Sequence, residues 1–84
     1  MEGEYLADVL EEFLTDKQVT PDWVAGRAGI RRSTFRHWIT GEVAKPRYWQ
    51  DVVRVASVLN LTESEATRLL TAAGHLSVPE LLSS

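Results

Sequence analysis

The sequence predicts an all-α domain, and three observations carry that prediction. Apolar residues recur at helical spacing of three and four in five successive stretches. Helix start and stop residues separate those stretches, and the turns between them are short. The 84 residues have room for one domain and one core, with no second domain to hold a deep substrate cleft. Ordering such a chain costs on the order of 100 kcal/mol, so nearly every apolar stripe is expected to be buried.

Leu6, Val9, Leu10, Phe13 and Leu14 form the first stripe, with Asp8, Glu11 and Glu12 on the opposite, solvated side; a helix is expected over about 4–16. Acids crowd its first turns and Lys17 stands at its end, as the helix dipole prefers. Thr20, Pro21 and Asp22 read as an N-cap, a proline at the first helical position and a first-turn acid. A short second helix follows through Trp23, Val24 and Ala25 to about Ala28, where Gly29 stops it. Ile30 drops an apolar side chain into the turn, and a third helix runs from about Arg32 to Thr40 with Phe35 and Trp38 facing inward. Gly41 can take the positive φ that ends that helix, and Pro46 lies beyond it in a loop.

Tyr48, Val52, Val55, Ala56 and Leu59 mark a fourth helix. Thr62 with Glu65 forms a capping box for a fifth, whose stripe of Ala66, Leu69, Leu70 and Ala73 ends at Gly74. Residues 77–84 are expected to be a frayed tail or the start of a linker to further domains of a longer chain, with a single short turn carrying Leu81 and Leu82 as the alternative. The domain proper is then residues 1–76.

Composition narrows the function. The chain has no cysteine, hence no disulfide or thiolate zinc site, which agrees with a reducing, cytoplasmic setting. No apolar run approaches the roughly 18 residues of a membrane span, and the N-terminus is acidic where a signal peptide would be basic. His37 and His75 stand apart with no partner at metal-ligand spacing, so neither metal nor cofactor is expected; His75 suits the end of the fifth helix through its partial positive charge. Glu11 and Glu12 diverge on their helix, and Ser33 has no histidine and acid arranged to activate it, so an enzyme is not expected.

The net charge of -3 is strongly uneven along the chain. Residues 1–26 carry -6, residues 27–54 carry +5 and residues 55–84 carry -2, so the middle third is a basic patch on an acidic body. Within it, Arg31 and Arg32 stand where the third helix begins, a position at which a cation is unfavourable by about 0.3 to 1 kcal/mol. An anionic partner such as phosphate would relieve that conflict; ordinary solvated arginines are the alternative reading. Trp23 and Trp49 are expected in core or half-buried packing, with an exposed partner patch as the alternative.

Thr20, Val24, Ala25, Gly29, Ile30, Ser33, Thr34, Phe35, Trp38 and Gly41, followed by Pro46, Val52, Val55, Ala56 and Leu59, resemble the helix-turn-helix of lambda-repressor-like proteins, the Cro and Xre type of bacterial and phage regulators. The tight motif spans residues 19–41 and the general layout residues 4–73. The resemblance implies a compact five-helix lambda-repressor-like bundle with the helix-turn-helix formed by helices 2 and 3, and sequence-specific binding of double-stranded DNA with the third helix in the major groove. It places Arg32, Ser33, Arg36 and His37 at base edges, and Thr20, Arg27, Arg31, Thr40, Lys45 and Arg47 at phosphates. It also implies a homodimer, for which the fifth helix and Leu81 and Leu82 of the tail are the expected surface. Pro21 departs from the pattern, where family members often carry a phosphate-binding glutamine. The alternative function is an N-terminal protein-interaction module of a larger bacterial signalling protein, which the acidic pI near 5.3, Pro21 and the linker-like tail favour.

Overall fold

The computed structural model describes residues 4–83, and all its regular structure is helical. In chain order the helices are α1 (Leu6–Lys17), α2 (Pro21–Ala28), α3 (Arg32–Thr40), α4 (Trp49–Val58), α5 (Glu63–Ala72) and α6 (Val78–Ser83). The expected apolar stripe of α1 is buried from Leu6 to Leu14, and the helix ends at Gln18 in the left-handed region at φ 57°. The Thr20 hydroxyl accepts from the Trp23 amide at 3.2 Å and so caps α2, while Pro21 occupies the first turn where no amide partner is lost. Gly29 closes α2 at φ 72°, a conformation that a Cβ disfavours, and the chain reverses with the Ile30 amide donating to the Ala25 carbonyl at 2.9 Å. The boundaries of α3 fall where the sequence put them.

Both bonds of the Thr62–Glu65 capping box form: the Glu65 amide donates to the Thr62 hydroxyl at 3.2 Å, and the Thr62 amide donates to the Glu65 carboxylate at 2.9 Å. The backbone bond holds the Glu65 carboxyl below its ordinary pKa, more than desolvation raises it. One core joins the helices. α1 packs on α3 and α5, α2 on α3 and α4, and α4 on α5. No polar or charged residue is buried among those described. The radius of gyration of 11.6 Å matches the roughly 12 Å of a close-packed domain of this length.

The C-terminal segment corrects the expectation of a tail, and five helices become six. Ser77, Val78, Pro79 and Glu80 form a second reciprocal cap: the Glu80 amide donates to the Ser77 hydroxyl at 3.4 Å, and the Ser77 amide donates to the Glu80 carboxylate at 3.2 Å. The Val78 amide also donates to the Thr67 hydroxyl of α5 at 3.2 Å, which ties α6 to the body.

Glu12 lies on the exposed face expected of it and also joins an ion-pair network across helices. Arg68 of α5 donates to both oxygens of Glu12, at 2.9 and 2.6 Å, and to both oxygens of Glu4, at 2.7 and 2.6 Å, with its guanidinium 5.4 Å from the centre of the Phe13 ring. These bonds hold both carboxyls below their ordinary pKa and raise that of Arg68 further. A carboxyl whose folded pKa is depressed contributes stability above its unfolded pKa, and that contribution is lost as pH falls through the folded value. Wild type is therefore expected to lose thermal stability as pH drops below about 4.5, and Arg68→Met, already destabilised at pH 7, to lose less over the same interval. Melts at pH 7 and pH 3 would refute the linkage if both proteins showed the same acid shift.

Candidate nucleic-acid interface

α3 is built as a helix with one inner and one outer face. Phe35 and Trp38 are buried, their ring centres 5.6 Å apart, and Thr34 and Ile39 are half-buried on either flank. At 100° per residue, Arg32, Ser33, Arg36, His37 and Thr40 fall within one sector of about 140°, and all five are exposed. The helix therefore brings together the four residues expected at base edges and one expected at a phosphate. Its N-terminus has no side-chain cap and no acid in the first turn, so its dipole and the exposed Arg31 and Arg32 present positive potential together.

The remaining residues expected at phosphates are placed unevenly. Thr20 lies near the outer face of α3, across a shallow groove of about 390 Å³ that Pro21, Asp22, Arg36, Ile39 and Thr40 also line. Its hydroxyl is engaged in capping α2. Arg27 is exposed with its guanidinium 5.3 Å from the centre of the Trp23 ring, and Arg47 sits 5.7 Å from that of Tyr48. Lys45 lies elsewhere, over the end of α5, with its stem about 3.1 Å from where a side chain on Gly74 would begin.

The basic patch of the linear sequence is partly neutralised in space. Arg36 Nη2 lies 3.6 Å from an oxygen of Asp22, which α2 carries, and Arg54 lies 3.4 Å from Asp51 on its own helix. Past the end of α3, Glu42 places one carboxylate oxygen 3.8 Å from His37 Nε2 and accepts from the Thr40 hydroxyl at 3.3 Å. Counting charges along the chain missed these contacts. The Asp22 pair joins residues 14 positions apart that only the packing of α2 on α3 brings together, whereas Glu42 lies close enough to Thr40 in sequence to have been suspected.

No protein-family model, curated protein or solved structure matches the chain.

Three other readings change. Trp23 and Trp49 are both exposed, at 46% and 39%. Core or half-buried packing was expected of both; Trp23 rests under Arg27, and Trp49 lines a small apolar cleft of about 180 Å³ with Val53, Val78, Leu81 and Leu82. His75 is a tether: its Nε2 donates to the Pro46 carbonyl at 2.8 Å, fastening the loop after α3 to the end of α5. The large apolar side chains of α5, Leu69 and Leu70, are fully buried, whereas α4 exposes Trp49 and Val53 and α6 exposes Leu82. Among the described residues no three His, Cys, Asp or Glu side chains are grouped to hold a metal, and no helix is long and apolar enough to cross a membrane.

Proposed function

We propose that this chain is a sequence-specific double-stranded DNA-binding domain of a transcriptional regulator, of the lambda-repressor-like Cro and Xre type, with α3 as its recognition helix. The observation that carries the reading is the outer face of α3, where Arg32, Ser33, Arg36 and His37 stand exposed while Phe35 and Trp38 anchor the opposite side. A projecting helix of this kind suits a major groove about 12 Å wide, and arginine matches the paired acceptors of guanine. Arg27, Arg31 and Arg47 serve as phosphate contacts that set the docking position. Lys45 is the weakest member of the contact set, because its stem packs over the end of α5. A homodimer binding two half-sites about 34 Å apart is the assembly that belongs to this reading.

The test is fluorescence anisotropy of the chain on mixed-sequence duplex at 50 and 200 mM salt. Three phosphate contacts give a slope of log affinity on log salt near -2.7, or about a 40-fold loss of affinity over that interval.

A second reading, an interaction module at the N-terminus of a larger signalling protein, is favoured by the apolar cleft between α4 and α6, where Leu82 is 77% exposed. Absence of saturable duplex binding at low salt would overturn the DNA reading and leave this one.

A further inference from the structure

We infer that Asp22 and Glu42 are specificity-determining residues of the α3 face, holding its base-facing side chains back from DNA phosphates; the inference rests on the DNA-binding reading. The two carboxylates come from different elements and flank the same face. Asp22 in α2 reaches Arg36 at 3.6 Å, and Glu42 beyond the end of α3 reaches His37 at 3.8 Å and the Thr40 hydroxyl at 3.3 Å. All of these groups are solvent-exposed or nearly so, with side-chain exposures of 67% for Arg36, 43% for Asp22, 50% for His37 and 66% for Glu42.

Neither contact holds the fold, since exposed pairs of this length contribute little to stability. Their consequence is electrostatic. A phosphate approaching Arg36 meets the Asp22 carboxylate on the same guanidinium, and one approaching His37 or Thr40 meets Glu42; like charges at such distances repel. A base edge is neutral. Guanine O6 and N7 offer acceptors to Arg36 without bringing a second anion against Asp22. The carboxylates therefore oppose backbone-only binding more strongly than base-edge binding, and they widen the gap between a matched site and other DNA.

The experiment compares wild type with Asp22→Asn/Glu42→Gln and with the charge-matched control Asp8→Asn/Glu63→Gln. The control residues are an exposed acid near the start of α1 and another in the first turn of α5. Affinity for mixed-sequence duplex is read by anisotropy, and affinity for a best site selected from a random pool with wild type is read alongside. The expected result is about a tenfold gain on mixed-sequence duplex for the Asp22/Glu42 variant, threefold or less for the control, and a smaller ratio of best-site to mixed-sequence affinity in the first variant alone.

Glu42→Gln by itself leaves the Thr20 cap and the first turn of α2 intact, and is expected to give roughly a threefold gain. Equal gains in the two double variants would reduce the effect to net charge and overturn the inference. So would an unchanged Asp22/Glu42 variant beside a wild type that binds duplex, which leaves the DNA reading standing. If none of the proteins binds duplex, the DNA reading falls and takes the inference with it.

Discussion

Replacing Arg32 and Arg36 together by alanine is expected to lower affinity for a selected duplex by about 30-fold or more. A bidentate arginine contact to a base is worth about 1 to 3 kcal/mol, and two at the low end already sum to that factor. Both side chains are exposed on the outer face of α3, so the fold should survive their removal. Arg32 opens the helix, where loss of a cation relieves an unfavourable interaction of about 0.3 to 1 kcal/mol. Arg36 gives up only its exposed contact with Asp22, worth at most about 1 kcal/mol. The variant should thus melt within a few degrees of wild type while binding far more weakly. Anisotropy and a thermal melt on the same preparation check both halves, and retained affinity would show that α3 does not read the DNA.

Phe35→Ala is expected to have the largest effect on stability. The side chain is 0% exposed and packs against Trp38 in the core. Removing a buried phenyl ring costs about 3 to 5 kcal/mol, against a total of about 5 to 15 kcal/mol for a typical domain. At roughly 4 °C or more per kcal/mol for a chain of this size, the midpoint should fall by at least about 12 °C. Duplex binding should fall with it, because Phe35 holds α3 in the rotation that turns Arg32 and Arg36 outward. Circular dichroism at 222 nm follows the melt. A shift of under about 5 °C would mean that α3 is rotated and that its outer face has been misassigned.

The parts of the site that were legible in the sequence share a physical character. The limits of α3 follow from Gly29 before it, Gly41 after it and the spacing of Phe35 and Trp38, all of which act within a few residues. Facing is then a matter of helical period, so the exposure of Arg32, Ser33, Arg36 and His37 follows from their spacing alone. The α6 helix was legible in the same way, since the Ser77–Glu80 cap uses the same chemistry as Thr62–Glu65. The apolar pattern weakens after Gly74, which is why a tail is the expected reading there. Trp23 misled for another reason: its place beside the apolar stripe of α2 does not reveal that Arg27, four residues later, covers the ring from the solvent side.

From its sequence alone the chain determined its helical class, the limits of five helices to within a residue or two, and which side of α3 faces out, because hydrophobic period and cap chemistry are local. Tertiary structure decided where the charges go. Arg68 meets Glu4 and Glu12 across separations of 64 and 56 residues, Asp22 meets Arg36 only because α2 packs on α3, and His75 finds the Pro46 carbonyl 29 residues away. Charge acts through space, so a basic segment in the chain becomes, in the folded domain, an α3 face on which Arg36 lies against Asp22 and His37 against Glu42.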